Sequence, residues 1–411
     1  MKVLVQKFGG TSVRDEKIRQ HAVDHVKDAL NDGYKVIVVV SAMGRYPDPY
    51  ATDSLLHLVG ENTTKLSAKE KDLLLSCGET ISSVVFSHEL LSQNIESIAI
   101  TGAQAGIITT SEFTNAQIKT MNIHHLSSLL NEYQVVVVAG FQGRNDQYEV
   151  TTIGRGGSDT SATALAAAIG AEYVDIFTDV NGIMTADPRL VSSARKLEQI
   201  SYNEVCNLAY QGAKVIHPRA VEIAMQANIP IRVRSTREKD PGTLITSVEI
   251  EKHTNAVTDR LVTGIAYVDH LTQIKIDNKM ESEQLHVSVF KAMAEAGISV
   301  DFINISPGSM MYTIFNKYED KALNVLKKLD IEPMLKRNCA KISLVGAGMS
   351  GLPGATSTIV QTLSSHHIPI FQSADSHRTI WVLIKSEHLQ TAINALHLAF
   401  QLDNNVSINE N

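Results

Sequence analysis

The stretch TTIGRGGSDTSATALAAAIGAE, residues 151–172, sets three glycines around one arginine, then Ser-Asp-Thr, then an alanine-rich run. The alanines predict a helix with Ser158, Asp159 and Thr160 as N-cap candidates, and Gly154, Gly156 and Gly157 bare the backbone N–H groups of the turn before it. A helix start that offers amides and the Arg155 cation suits an anion. Neither familiar phosphate loop fits. A Walker A loop carries a lysine after its last glycine, which GRGGSD lacks, and GxGxxG spacing from Gly154 puts Asp159 where the third glycine belongs. A glycine turn with a capping aspartate also serves simply to reverse the chain, so a turn without a ligand stays open at this point.

Outward from that turn, β-branched runs alternate with helical patterns from Met1 to about Thr246. The runs are VLVQKF (3–8), VIVVV (36–40), ESIAIT (96–101), VVVVA (135–139), YVDIFT (173–178) and IPIRVR (229–234). Continuous apolar runs predict strands buried on both faces, and the intervening segments predict crossover helices. The expected fold class is therefore α/β, with a largely parallel sheet between helix layers. Ligands of such sheets sit at the carboxyl ends of the strands, where small and polar residues collect here: Lys7 to Ser12, Ser41 to Gly44, Thr101 to Gln104, Ala139 to Gly143 and Thr178 to Gly182. KFGGTSV is a second anion cradle, with Lys7 as its own mobile cation. Two cradles on one rim predict a polyphosphate and an acidic substrate. TDVNGIMTADPR adds Asp179, Asp187 and Arg189, and GAKVIHPRA adds Lys214, although each charge alone reads equally well as a solvated loop residue.

The chain has 411 residues and 44% hydrophobic composition, enough for two or three domains. Lys+Arg total 37 against Asp+Glu 44, a formal charge of -7 with no basic block, which argues against a nucleic acid partner. Cys77, Cys206 and Cys339 are too dispersed for a CxxC pair, and the start MKVLVQKFGG has no secretory pattern, so a reduced, cytoplasmic, soluble protein is expected. The apolar runs are too short to span a bilayer. Past Arg234 the polar STREKDPGT marks a boundary, and a weak internal repeat follows. VSVFKAMAEAGISVDFINISPGSMMYTIF (287–315) and STIVQTLSSHHIPIFQSADSHRTIWVLI (357–384) each read helix, turn, strand, turn, strand. A strand-like piece precedes each, TQIKID (272–277) and KISLVG (341–346), which makes two small βαββ units.

Taken in order, KFGGTSV, SAMG, LLSCGETIS, TTIGRGGSDTSA, FTDVNGIMTADPR and GAKVIHPRA resemble the aspartokinase family of the amino acid kinase fold, over essentially the whole chain. The C-terminal repeat resembles that family's pair of ACT regulatory units. SAMGRYPDPYATDSL and QSADSHRTIWVLI resemble its diaminopimelate-sensitive branch in Gram-positive bacteria. The resemblance implies transfer of the ATP γ-phosphoryl group to the side-chain carboxylate of L-aspartate, feeding the diaminopimelate/lysine, threonine and methionine pathway. It implies a catalytic domain at 1–246, a linker at 247–261, a first ACT unit at 270–336, and a second made of 262–269 and 340–411.

By resemblance, Lys7 and Lys214 approach the phosphates, the amides of Gly9 and Gly10 cradle the transferring group, and Ser41 and Thr11 lie beside the substrate. Arg155 would hold the aspartate α-carboxylate as a bidentate fork, and Glu79 would receive the ammonium. A plain helix-surface role for Glu79 is disfavoured by its apolar neighbours Leu73, Leu74, Leu75 and Ile81. Asp159 would order the cations or the hydration shell of Mg2+ arriving with ATP, and Thr178, Asp179 and Arg189 would line the nucleotide pocket. His217 reads as a cap or pocket wall; His124-His125 and His366-His367 lack zinc spacing, and direct metal ligands stay unassigned. Competing readings are a sister kinase for glutamate or N-acetylglutamate and a catalytically dead amino acid sensor. Glu79 with the paired ACT units favours aspartate, and Lys7, Lys214, Arg155 and Asp159 together favour activity.

The ACT units imply a homodimer joined through them and an amino acid effector. Lysine-sensitive relatives tend to end the second strand with Gln-Asn, whereas this chain has Ile303 before Asn304. The turn with Ser373, Asp375, Ser376, His377 and Arg378 offers groups of both signs, which favours meso-diaminopimelate over lysine. A strand-turn-strand without ligand is the alternative there.

Overall fold

The β-branched runs line up side by side in one eight-stranded sheet of a computed structural model. It describes residues 2–60, 65–213, 215–247, 262–277, 283–306, 308–346 and 354–404. From edge to edge the strands are Gln199–Ser201, Thr243–Thr246, Ile231–Ser235, Tyr173–Thr178, Val3–Phe8, Lys35–Val40, Val135–Ala139 and Ser97–Ile100. All pair in parallel except Ile231–Ser235 with Thr243–Thr246. Val36 to Val40 and Val135 to Ala139 are wholly buried, as strands covered on both faces require.

Register is what builds the site. Phe8 lies beside Val40 on one side and Phe177 on the other, so the residues that follow, Gly9, Ser41 and Thr178, emerge on one rim. The chain runs from Val3–Phe8 to Lys35–Val40 on one side, while Tyr173–Thr178 takes the other, and such a reversal opens a crevice at the strand ends. The rings of Phe8 and Phe177 stack at 4.6 Å and those of Phe8 and Phe86 at 5.5 Å, which gives the rim an apolar floor. A second sheet of four short strands, in the order Ile118–Met121, Ile107–Thr109, Gln142–Arg144 and Val150–Thr152, was not foreseen. Strands of three or four residues are too short to show hydrophobic alternation.

The chain divides into two compact units. The first holds Met1–Ile183, Lys196–Tyr210 and the stretch from 215 through Thr243–Thr246; the second holds Met184–Arg195, Gln211–Ala213 and the described residues from 262 onward. Met184–Arg195 and Gln211–Ala213 lie within the expected 1–246 segment and group with the second unit. Val191 and Ala186 are buried in the core of the second unit. There the Thr185 carbonyl accepts from Ile265 N at 2.8 Å, Thr185 Oγ1 meets His397 Nε2 at 2.9 Å, and Arg195 Nε donates to the Leu402 carbonyl at 2.9 Å. Of the expected linker at 247–261, residues 248–261 lie outside the described residues.

The second unit carries an antiparallel six-stranded sheet, ordered Asp301–Ser306, Ser309–Phe315, Gly264–Asp277, Met334–Val345, Thr379–Lys385 and Gln372–Asp375. The long strand Gly264–Asp277 serves both repeats. Gly264 to Val268 pair with Val345 to Lys341, and Leu271 to Asp277 pair with Phe315 to Ser309, with register shifts between the two halves. Helices Glu283–Glu295 and Glu319–Lys328 bury Val289, Met293, Ala322 and Leu326 against the first repeat, and Ala355–Ser365 and Leu389–Ala399 bury Ile359, Leu363, Ile393 and Leu396 against the second. Among the described residues no helix is long and apolar enough to cross a membrane.

Candidate functional site

The strand Val3–Phe8 delivers Lys7 to the rim and runs into a tight turn at Gly9, Gly10, Thr11 and Ser12. The turn is seated by main-chain bonds: Gly9 N to the Phe177 carbonyl at 3.4 Å, Gly44 N to the Gly10 carbonyl at 2.9 Å, and Ser41 N to the Phe8 carbonyl at 3.1 Å. A Cβ on Gly10 would lie 2.6 Å from the Ala42 carbonyl oxygen and 2.7 Å from that of Gly44, both backbone atoms that cannot swing aside. Lys7, Gly9, Gly10, Thr11, Ser41, Thr178 and Asp179 line one cavity. Sequence reasoning thus named most of its wall. Gly44, read as part of the rim, lines it too, whereas Arg45, Ile176, Phe177 and Val215 were missed. Arg45 Nη2 stands 3.5 Å from Asp179 Oδ2, and Thr178 Oγ1 donates to Asp179 Oδ1 at 3.1 Å. The signal for Arg45 was present in the SAMGR run, whose last residue follows the turn directly.

Lys7 Nζ meets Asp159 Oδ1 at 2.6 Å, with each side chain only 12% exposed. Asp159 stands in the first turn of the helix Gly157–Ile169, where a carboxylate is favoured by the N-terminal dipole. Its Oδ2 also accepts from His217 N at 3.4 Å. The helix is preceded by Gly154 and Gly156 in left-handed conformation, φ 82° and 71°. A Cβ on Gly156 would come within 2.2 Å of the His217 ring. His217 caps the helix Pro218–Ala227, and burial is the main reason its pKa lies below the ordinary value, with Asp159 opposing. Arg155 projects from the same turn, exposed.

Glu79 sits mid-helix in Ala68–Leu91 and is 2% exposed. One carboxyl oxygen accepts from Ala42 N at 3.1 Å, beside Ser41 on the rim, while Oε2 is buried without a partner among the described residues. Burial raises its pKa to about 8. Such a group welcomes a cation, which would restore its charge and fill the vacant valence.

Lys214 lies outside the described residues. Arg189 belongs to the second unit and not to the cavity wall, because its guanidinium folds back on Asp187, with Nη2 to Oδ2 at 2.6 Å, and Asp187 also accepts from Tyr267 Oη at 3.2 Å. The Arg189 hydrogen bond holds the Asp187 carboxyl below its usual pKa.

The expected effector residues occupy the two edge strands of the six-stranded sheet and the turn after one of them. Ile303 and Asn304 are on Asp301–Ser306; Ser373 and Asp375 are on Gln372–Asp375, with His377 and Arg378 in the turn that follows. Though at opposite edges, the two strands touch, since Gln372 Nε2 donates to the Phe302 carbonyl at 2.7 Å and Gln273 Nε2 donates to Gln372 Oε1 at 2.9 Å. Gln372 and Phe302 immediately precede Ser373 and Ile303. Among the described residues, no group of three or more His, Cys, Asp or Glu side chains could hold a metal ion.

Residues 2–235 match the amino acid kinase family, and residues 334–398 match the ACT domain. Aspartokinase 1 of Bacillus subtilis (strain 168) is 57% identical over 402 residues, covering 98% of this chain and all of that one. The crystal structure of E. coli aspartokinase III in complex with aspartate and ADP (R-state) aligns over 97% of this chain and 99% of that one, at 26% identity and a TM-score of 0.74. The same enzyme in complex with lysine and aspartate (T-state) aligns over 97% and 100%, at 26% identity and 0.77.

Proposed function

The chain belongs to the aspartokinase family, and from that premise we propose how its own residues move the ATP γ-phosphoryl group onto the side-chain carboxylate of L-aspartate, giving 4-phospho-L-aspartate. The bond from the γ-phosphorus to the bridging oxygen breaks, its electron pair leaves with ADP, and an aspartate Oδ forms the new bond. A carboxylate is already an anionic nucleophile, so no general base is needed and catalysis reduces to positioning and charge neutralisation. The observation that carries this reading is the Lys7–Asp159 contact of 2.6 Å in the wall that also holds Gly9 and Gly10.

In this reading Lys7 turns between Asp159 and the transferring group, the Gly9 and Gly10 amides accept the developing charge, and Thr178, Asp179 and Arg45 flank the nucleotide. Lys214 joins them as a second cation. Ser41 and Thr11 lie beside the substrate. The aspartate ammonium goes to the vacant oxygen of Glu79 and its α-carboxylate to the Arg155 fork. Asp159 would lie within reach of the hydration shell of Mg2+ arriving with ATP, and the ion would supply neutralisation of phosphate charge.

The enzyme is allosterically regulated through its ACT sheet. We assign meso-diaminopimelate as the stronger effector, held near the joined edges at Ile303, Asn304, Ser373, Asp375, His377 and Arg378. Its second carboxylate meets Arg378 while its ammonium meets Asp375; lysine leaves the arginine unmatched. A cytoplasmic homodimer joined through the ACT units, acting at the first step towards diaminopimelate/lysine, threonine and methionine, completes the reading. Acyl phosphate trapped as the hydroxamate tests it at subsaturating aspartate, with diaminopimelate, lysine and threonine titrated separately. Strong inhibition by diaminopimelate and weak inhibition by lysine are expected. Inhibition by lysine alone would reverse the effector assignment, and absence of ATP-dependent product would sink the reaction.

A further inference from the structure

On the helix Ala68–Leu91, seven residues before Glu79, Asp72 has no solvent exposure at all. Its oxygens accept from Thr152 N at 2.8 Å, from Thr152 Oγ1 at 2.7 Å, and from Thr114 N at 3.0 and 2.9 Å. These donors are neutral, and a buried carboxylate served by neutral donors is a poor choice for stability alone. It is a good choice for geometry, because only an acceptor-only group can take two backbone N–H groups and a hydroxyl at once.

Both ends that Asp72 grips lead to the Arg155 turn. Thr152 is two residues before Gly154. Thr114 is a β-branched residue held at φ 70°, a strained conformation that must be enforced from outside. The segment it begins forms the wall of the turn: a Cβ on Gly154 would stand 2.7 Å from Asn115 Oδ1 and 3.2 Å from the Thr114 carbonyl oxygen. Ala116 N donates to the Thr152 carbonyl at 2.9 Å. Arg219 closes the frame from the opposite side, donating to the Ile153 carbonyl at 3.2 Å and the Ala116 carbonyl at 3.3 Å.

We propose that Asp72 is a positioning residue for the amino acid substrate, fixing the span between its carboxylate clamp and its ammonium receiver. The inference rests on the reading that Arg155 and Glu79 hold those two groups. Seven residues are two helical turns, so Asp72 and Glu79 share a face about 10 Å apart along the axis. Glu79 touches the ammonium directly; Asp72 acts through Thr152 and Gly154 on Arg155. One rigid helix thereby holds both ends of the amino acid in register, and the hydrogen bonds of Asp72 go to Thr114 and Thr152 rather than to the Gly9–Gly10 turn.

Steady-state kinetics of the full chain with Asp72→Asn, Arg155→Ala and the double variant test this. Asp72→Asn is expected to raise the KM for aspartate about tenfold while the KM for ATP stays within about twofold. In the double variant Asp72→Asn should add nothing to Arg155→Ala, since the clamp it positions is gone. Effects that multiply, or equal shifts in both KM values, would overturn the proposal. If Arg155→Ala raises the aspartate KM and Asp72→Asn does not, the positioning role alone falls; if Arg155→Ala leaves it unchanged, the clamp reading falls and takes this with it. Should Asp72→Asn fold poorly, Thr152→Val removes one of the bonds and is expected to raise the aspartate KM about threefold, with Thr152→Ser restoring it. No separation between those two would count against the role.

Discussion

At Gly9–Gly10 the chain leaves the central strand and is seated by carbonyls and amides of the adjacent strand ends, Phe177, Ala42 and Gly44. At Gly154–Gly157 a similar glycine turn precedes a helix, but side chains from distant elements hold it, Asp72 and Arg219 by hydrogen bonds and His217 by packing. A turn seated by sheet register inherits the rigidity of the sheet. A turn seated by side chains can be tuned one residue at a time, which suits the end of a site where substrate identity is read, while the phosphate end needs only a fixed cradle.

The largest expected effect sits at the sheet-seated turn. Lys7→Ala should lower kcat on the order of a hundredfold, the scale for losing one preorganised donor at a transition state. It should also lower stability by about 1–3 kcal/mol, because Asp159 is left buried without its cation. Turnover near normal would remove Lys7 from the transferring phosphate and leave the two turns without their division of labour.

Glu79 sharpens the amino acid end. With its pKa near 8, the free protein carries a protonated Glu79 at pH 7, and an arriving ammonium favours the ionised form. Aspartate binding at pH 7 should therefore release close to one proton, fading above about pH 8, measurable by calorimetry in buffers of different ionisation heat. Glu79→Gln should abolish that release and weaken aspartate about tenfold or more. The same shift has a stability sign: the unfolded chain ionises Glu79 near 4.5 while the folded one retains the proton to about 8, so stability falls as pH rises through that window, and the variant loses this slope. Unchanged proton release in the variant would show that another group titrates.

The smallest effect should come from Gly154→Ala. An alanine at φ 82°, crowding Asn115, costs on the order of 1 kcal/mol, enough for about a fivefold rise in the KM for aspartate with that for ATP unmoved. An equal rise in both would mean the turns are coupled and the comparison fails.

Much of the rim was legible without coordinates. Lys7, Gly9, Gly10, Ser41, Thr178 and Asp179 end or follow strands whose β-branched runs are unmistakable, and a parallel sheet brings strand ends together by its own geometry. Asp72 and Arg219 were not legible, because each looks like any charged residue on a helix until its partner is known. Arg189 illustrates the converse, a residue placed by motif order whose neighbours turned out to be Asp187 and the second unit.

What the sequence by itself determined is therefore what depends on neighbours in the chain: the strands, the glycine turns, the helix that carries Asp159 in its first turn and the family these compose. The tertiary structure alone decided which unit claims Met184–Arg195, that Gln372 ties one sheet edge to Phe302 at the other, and that Asp72 reaches Thr114 and Thr152. The last two outcomes turn on partners 42 to 80 residues away, and the first on partners more than 200 residues away. Local propensity carries no information about which distant donor will meet a given acceptor; only the packed chain, with its buried polar groups obliged to find partners, selects one.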